Sequence, residues 1–275
     1  PDGVAICPVR NHDELLLILT QAAASADYVL PVAPECDGIL LNIARTLDAL
    51  PCCTLLPSVS TVAICSDKLL TWEHFRAVGI PMLECRTDHD TSSEAVSPQT
   101  IFKLRQGAGC DGVQRGNLPP QASPEDYVQQ DWLEAQSLSL GIIGGPAGPH
   151  LLPLAEQSIE WSGHSPRYLG GIIPADVPTM VREQVDSIVG RVLQRVGHFR
   201  GYTGLDFLVS AKDNTVYLNE INPRLCTSYV GYRHALSLNL PGLMIGHINS
   251  HPAQDHVRHD IFDASGTANA ALPHP

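Results

Sequence analysis

The 275-residue chain has no apolar stretch approaching the roughly 18 residues that a membrane-spanning helix needs. None of its eight cysteines sits in a CxxC pair, which argues against the common zinc and redox motifs. Their neighbours are mainly apolar, as in "AIC" and "VAIC", so buried free thiols in a reducing compartment are expected rather than a disulfide framework. Charge is scarce at 17% and lopsided, with a formal net charge of −12. Such a surface repels phosphate backbones and argues against nucleic acid as a partner, although a few local lysines and arginines can still cradle a small phosphorylated ligand. No secretory leader is seen, and the chain begins at Pro1 rather than Met. A cytoplasmic location is expected, with truncation of the N-terminal unit left open.

What is present reads first as alternating helix and strand. Residues 13–24 form a helical pattern, 27–33 a buried strand, 36–50 a second helix with Ile39, Ile43 and Leu47 in one stripe, and "TLLPS" a short strand. This alternation suggests part of a parallel sheet. "SDKLLTWEHFRAVG" (66–79) is a helix with Ser66 as N-cap, Asp67 at the positive end of its dipole and Gly79 as its stop. "IPMLEC" leads into a strand, and 86–99 reads as loop. From residue 100 the character becomes antiparallel β, with one long amphipathic helix over 175–197 whose stripe includes Met180, Val185, Ile188 and Val192. Strands are expected at 202–210 and 215–222, then helix again. The tail from 261 is small, Ala/Pro-rich and expected to be flexible.

The two late strands carry the chemistry. If they pair as a hairpin with Val209 opposite Tyr217, Asp206 faces Glu220 and Gly204 faces Asn222. Residues 216, 218, 220 and 222 then share one face, apolar at its start and oxygen-bearing at its end. Carboxylates on directly opposed residues repel unless a proton or a cation sits between them. Asp, Glu and Asn are all-oxygen ligands and favour Mg²⁺ or Mn²⁺ over zinc. The bland alternative is a solvated sheet face with two stray acids.

"GLDFLV…VYLNEINPR" resembles the metal-binding hairpin of the ATP-grasp superfamily. The resemblance covers roughly residues 27–245. It implies a mixed α/β (α+β) ATP-grasp fold, in which a partial N-terminal parallel α/β domain (1–65) precedes two α+β lobes clamping ATP. The lobes would be a central lid lobe (66–130) and a C-terminal lobe (131–260), with a flexible tail (261–275) after them. It implies that Asp206, Glu220 and Asn222 hold two Mg²⁺ ions on the ATP phosphates, and that Arg224 meets the transferred phosphoryl group or the acyl phosphate. Some ligases of the superfamily have Arg where Gly204 stands, so a phosphate contact made there is missing or supplied elsewhere. "APECDGILL", "SDKLLT" and "NEINPRLCTSYVG" resemble the tyramine–glutamate ligase-like members of methanofuran-type cofactor biosynthesis. That implies glutamate as the activated acid and an arylethylamine as the acceptor. Expected partners are thus small-molecule carboxylate and amine substrates, with a homodimer left open.

"KLRQGAGCDGVQ" contains Gly107, Gly109 and Gly112 in the spacing of a dinucleotide-binding fingerprint. That fingerprint needs a helix immediately afterwards, and "VQRGNLPPQ" is a poor helix start. A hairpin-type loop over phosphates fits the flanks better, with an ordinary turn as the alternative. In the ATP-grasp family a strand Lys precedes such a loop and a second Lys often opens the earlier helix; Lys103 and Lys68 match, and the resemblance implies that both reach the ATP phosphates. "VQQDWLEA" (128–135) resembles the family's adenine strap. The Asp131 carbonyl and the Leu133 N–H would read the adenine edge and Glu134 the ribose, while Trp132 is either strap or core.

Other patterns carry less. His247, His251, His256 and His259 lie in a segment broken by Pro252 and read as solvated surface. Cys226 lacks a His/Asp partner pattern and reads as a packed thiol. "SPRYLGGIIP" (165–174) is either a turn or an acceptor-binding loop. Two rival functions stand beside ATP-dependent amide ligation: a nucleotide-binding module without catalysis, and a Rossmann-type oxidoreductase.

Overall fold

A computed structural model describes residues 3–87, 99–119, 121–197, 199–247, 257–265 and 267–270. The N-terminal unit comprises α1 (His12–Ala23), β1 (Tyr28–Val29), α2 (Ile39–Asp48), β2 (Cys53–Thr54) and α3 (Val59–Cys65). β1 and β2 pair in parallel, as the alternation predicts. The strand is much shorter than the expected 27–33 and is not buried: Val32 is 65% exposed. Instead, α2 supplies the apolar seams, with Leu40 and Ala44 against Leu56 and Val62, and Ile43 and Leu47 against Ala23. A 3₁₀ turn over Cys36–Gly38 precedes α2, with Asp37 and Gly38 both at positive φ.

α3 was not expected from the sequence, and it moves the next helix start. α4 (Lys68–Arg76) is capped by Asp67, whose carboxylate accepts from the N–H groups of Leu69 and Leu70 at 2.9 and 3.2 Å. Ser66 ends α3 rather than capping α4. No strand forms in "IPMLEC"; the segment runs beside the hairpin, and the Pro81 carbonyl accepts from Leu218 N–H at 2.9 Å. Residues 88–98 of the expected 86–99 loop lie outside the described residues.

A three-stranded antiparallel sheet follows, in the order β4 (Gln114–Arg115), β3 (Thr100–Leu104), β5 (Tyr127–Asp131). The rest builds an eight-stranded sheet. Its strands are β6 (Ala135–Gly145), β7 (Gly148–Leu151), β8 (Ala155–Ser162), β9 (Ser165–Ile173), β10 (Gly201–Ser210), β11 (Val216–Asn222), β12 (Asp260–Asp263) and β13 (Ala268–Ala270). The order is β11-β10-β6-β8-β9-β12-β13, with β7 on β6. Residues 165–174 are therefore mainly strand, not a turn or a loop. α5 (Thr179–Val196) covers one face through Val181, Val185, Ile188, Val189 and Val192. Met180, placed in that stripe from spacing, is 50% exposed because it lies in the first turn. α6 (Ser228–Ala235) and α7 (Leu240–Met244) pack over a second core with Tyr202, Tyr232 and Ile173. Among the described residues, no helix is long and apolar enough to cross a membrane.

The C-terminal segment departs most from expectation. Instead of fraying from 261, β12 pairs antiparallel with β9 and carries β13 on its outer edge. Phe262 anchors it, 2% exposed, in the second core. Its ring fills space that side chains on Gly171 and Gly231 would occupy. Truncating a buried aromatic ring costs the transfer of its atoms plus a cavity, about 3–5 kcal/mol. We expect Phe262→Ala to lower the unfolding free energy by that amount in a denaturant titration; a loss below about 1 kcal/mol would mean that β12 contributes no packing.

Candidate active site

The site begins with how α4 meets β3. Asp67 caps the helix and also binds the Arg105 guanidinium, with Oδ2 2.7 Å from Nη2 and 3.1 Å from Nε. The Lys68 N–H donates to the Arg105 carbonyl at 2.9 Å. This clamp places two of the chain's three lysines, Lys68 and Lys103, on one cavity wall. The cavity holds about 700 Å³, within the range of small-molecule sites.

The opposite wall is the β10–β11 hairpin. Asp206 pairs with Glu220 and Gly204 with Asn222, as expected. The register then slips: a bulge between Asp206 and Phe207 sets Val209 opposite Val216, not Tyr217, and leaves Asn219 as the extra residue. The expected single face of 216, 218, 220 and 222 is therefore wrong. A bulge turns two consecutive side chains to the same side. Val216 and Leu218 join Ile221 in the core, whereas Asn219, Glu220 and Asn222 line the cavity. Asn219, which sequence reasoning passed over, accepts from Lys103 Nζ at 2.8 Å.

The oxygen-bearing side chains converge. Asn222 Nδ2 donates to Asp206 Oδ2 at 2.9 Å and to Glu220 Oε1 at 3.4 Å. Gln157 of β8, also unforeseen, donates to Asp206 Oδ1 at 3.1 Å. Lys68 Nζ lies 3.4 Å from Glu220 Oε2 and donates to the Gly107 carbonyl at 3.0 Å. Burial, then the neighbouring Glu220 charge, pushes the Asp206 carboxyl well above its usual range. Burial acts the same way on Glu220, but Lys68 and Lys103 outweigh it and hold that carboxylate below its usual range. Lys103 is 8% exposed, and its desolvation lowers its pKa, with Glu220 opposing. Among the described residues, no three His, Cys, Asp or Glu side chains cluster. A divalent cation here would take the two carboxylates, and the Asn222 amide, whose Nδ2 faces them, would turn its oxygen toward the ion; that set suits Mg²⁺ when water and phosphate complete the shell.

Arg224 also lines the cavity, but its charge is answered from the N-terminal unit. Its Nε lies 2.9 Å from Glu35 Oε1, and its Nη2 donates to Glu35 Oε2 at 3.0 Å. Burial works against the cation, and Glu35 more than offsets it, so its pKa is raised. Glu35 carried no signal in the sequence beyond its place in "APECDG". Cys226 follows, also on the cavity wall; burial raises its thiol pKa strongly, so it is not poised as a nucleophile.

The glycine loop joins antiparallel β3 and β4 with no helix after it, which excludes the dinucleotide fingerprint. Gly109 and Gly112 take positive φ, and a side chain at Gly112 would collide with Leu104. Gly109 and Cys110 reach the cavity. Asp131, Leu133 and Glu134 line its far end. The Asp131 carboxylate pairs with Arg86, and the Glu134 carbonyl accepts from Ala211 N–H at 2.9 Å. Trp132 is not core: it stacks edge-on against Trp161 at 4.7 Å and beneath Arg115 at 4.1 Å. His251 and His256 lie outside the described residues.

The hairpin acids and amide, the two lysines and the glycine loop all lie within one matched domain. Residues 65–228 match the ATP-grasp domain, and residues 1–62 match the pre ATP-grasp 3 domain. The chain belongs to the ATP-grasp family. It is 25% identical over 214 residues to a tyramine–L-glutamate ligase of Methanocaldococcus fervens, covering 77% of this chain and 63% of the relative. It is 24% identical over 254 residues to the same-named ligase of Methanocaldococcus jannaschii, covering 92% and 73%. Among solved structures, an ATP-grasp superfamily protein from Archaeoglobus fulgidus superposes with a TM-score of 0.68 at 24% identity, over 93% of this chain and 74% of that one. The biotin carboxylase domain of Hydrogenobacter thermophilus 2-oxoglutarate carboxylase, in complex with MgADP, ADP and bicarbonate, superposes with a TM-score of 0.70 at 14% identity, over 93% and 63%. These superpositions establish the ATP-grasp fold, a mixed α/β architecture.

Two expectations follow from the geometry. A carboxyl whose pKa is raised by folding contributes stability below its unfolded pKa and loses it as pH rises through the folded value. Asp206→Asn should therefore stabilise the chelator-treated protein at pH 7, the difference vanishing below about pH 4; equal unfolding midpoints at pH 7 would refute this. Removing the neutral partner of a buried cation costs about 1.5–3 kcal/mol. Asn219→Ala should weaken MgADP binding about tenfold by calorimetry, the low end of that range.

Proposed function

We propose that the chain is an ADP-forming carboxylate–amine ligase that joins a carboxylate to an amine through an acyl phosphate. The observation that carries this is the half-buried Asp206–Glu220–Asn222 cluster facing Lys68, Lys103 and Arg224 in one cavity. The tyramine–L-glutamate ligase relatives support glutamate as the acid and an arylethylamine as the acceptor.

The roles follow from charge and position. Lys68 and Lys103 neutralise the ATP phosphates, and backbone N–H groups of the Gly107–Gly112 loop cover them. The Asp131 carbonyl and Leu133 N–H read adenine, and Glu134 binds the ribose. Asp206, Glu220 and Asn222 would hold two divalent cations, Mg²⁺ or Mn²⁺, which supply charge neutralisation for in-line transfer. An acid oxygen attacks the γ-phosphorus, the bond to the β-phosphate oxygen breaks, and ADP leaves. Arg224 binds the transferred phosphoryl oxygens through paired N–H donors, which a lysine cannot reproduce. The amine, neutral after giving its proton to solvent, attacks the acyl carbon. The C–N bond forms, a second proton is lost, and phosphate departs with the original acid oxygen.

A nucleotide-binding module without catalysis would have no need for all three metal-type side chains beside two lysines, and this favours the ligase. The test is positional isotope exchange in ¹⁸O-labelled ATP with glutamate and no amine, followed by ligation with tyramine-type amines. Wild type should scramble the label. Glu220→Gln should lose metal-dependent turnover while keeping the fold. Arg224→Lys should bind ATP but lose ligation by about 100-fold, the scale of one preorganised charge contact. Full ligation by Arg224→Lys, or phosphate lacking the acid's oxygen, would overturn the mechanism.

A further inference from the structure

The proposed roles leave Glu35 unused, yet it is the most deeply buried acidic side chain near the cavity, at 3% exposure. It comes from the N-terminal unit, 189 residues away from Arg224 in sequence. Arg224 Nη2 donates to Glu35 Oε2 at 3.0 Å, and Nε lies 2.9 Å from Oε1 at ion-pair distance without a hydrogen bond. Two further contacts complete the frame: Arg224 Nη1 donates to the Leu225 carbonyl at 3.2 Å, and Nη2 approaches Asn222 Oδ1 at 3.5 Å. A planar guanidinium held by these contacts is restricted in where it can point.

Glu35 is itself held. Its carbonyl accepts from Gly38 N–H at 3.2 Å, closing the 3₁₀ turn, and the preceding Pro34 carbonyl accepts from Leu40 N–H at 3.2 Å. Leu40, fully buried, ties that turn to the core of the N-terminal unit.

We propose that Glu35 is a positioning residue for Arg224, so that the N-terminal unit completes the phosphoryl-transfer end of the cavity while the adenine end forms without it. This rests on the ligase reading for the role of Arg224, but not for the contact itself. Glu35 acts through its contact with Arg224 and does not touch substrate.

The experiment compares Glu35→Gln, Glu35→Asp, Arg224→Lys and the Glu35→Gln/Arg224→Lys double variant. Glu35→Gln should lower kcat about 100-fold, the cost of roughly 1 Å of misplacement, with KM for ATP changed less than about threefold. Glu35→Asp, which keeps the charge, should recover part of the loss, and it carries the comparison if circular dichroism shows Glu35→Gln unfolded. The double variant should be no worse than Arg224→Lys, because both remove one unit of function. Independently of turnover, the Arg224 Nη–H signals in ¹⁵N NMR should exchange with water at least about tenfold faster in Glu35→Gln, as the Nη2 hydrogen bond is weakened. Should wild type show no acid-dependent turnover, the ligase reading falls and the Nη–H exchange alone decides the contact. A Glu35→Gln enzyme within about threefold of wild type, losses that multiply in the double variant, or unchanged Nη–H exchange would overturn the proposal.

Discussion

Taking charge out of water is the constraint around which this site is arranged. Three cations, Lys68, Lys103 and Arg224, and three carboxylates, Asp206, Glu220 and Glu35, lose most of their hydration within or beside one cavity. An isolated buried ion costs far more than a typical fold can spare, so each must be answered by a partner or give up its charge. Glu220 is answered by the lysines and Arg224 by Glu35. Asp206 takes the other course, its ionisation opposed by burial and by Glu220. That imbalance suits a site meant for a divalent cation, because the group most reluctant to ionise gains most when positive charge arrives.

The same constraint accounts for the bulge. A regular hairpin would alternate strictly, and Asn219 would fall on the face that Val216 and Leu218 in fact share with Ile221. One inserted residue keeps the apolar side chains on the core and gives the cavity two adjacent polar ones. Lys103 then has an acceptor, Asn219, that carries no charge and does not compete with Glu220 for the lysine's positive field.

The hairpin was legible because its signal is local: acid, acid and amide sit within 17 residues, and strand geometry converts spacing directly into proximity. The pairing of Asp206 with Glu220 follows from a turn read one residue out of register: with Val209 opposite Val216, an unbulged hairpin would set Asp206 against Asn219, and the bulge brings it to Glu220. The bulge itself was not legible, because Asn219 looks like any other strand residue until the core on one side and Lys103 on the other choose its direction. The glycine loop was readable for a negative reason, since the residues after it could not begin a helix. Glu35 was not readable. Its role depends on a partner 189 residues away, and no local pattern distinguishes it from a surface acid at a turn. The C-terminal strands were hidden likewise: "DIFD" and "ANA" have weak strand character, and only the glycines on β9 and α6 make room for Phe262.

These long-range contacts bear on what the N-terminal unit is for. At the start of β10, Gly201 has positive φ and lies against the Leu55 carbonyl so closely that no side chain fits between them. Just past the end of β11, Arg224 is gripped by Glu35. The open end of the hairpin that presents Asp206, Glu220 and Asn222 is thus braced on both strands by residues of one small unit. Its own parallel sheet is only two residues long on each strand, too slight to be stable alone. Part of its stability must come from the surfaces it shares with the larger sheet, where Leu55 is buried beside Tyr202 and Ile143. Stabilising the unit and bracing the hairpin are then one set of contacts. Loosening either contact should be felt in the position of Arg224 and the hairpin acids before it is felt in the proposed adenine strap, which is built from β5, β6 and the turn after β10.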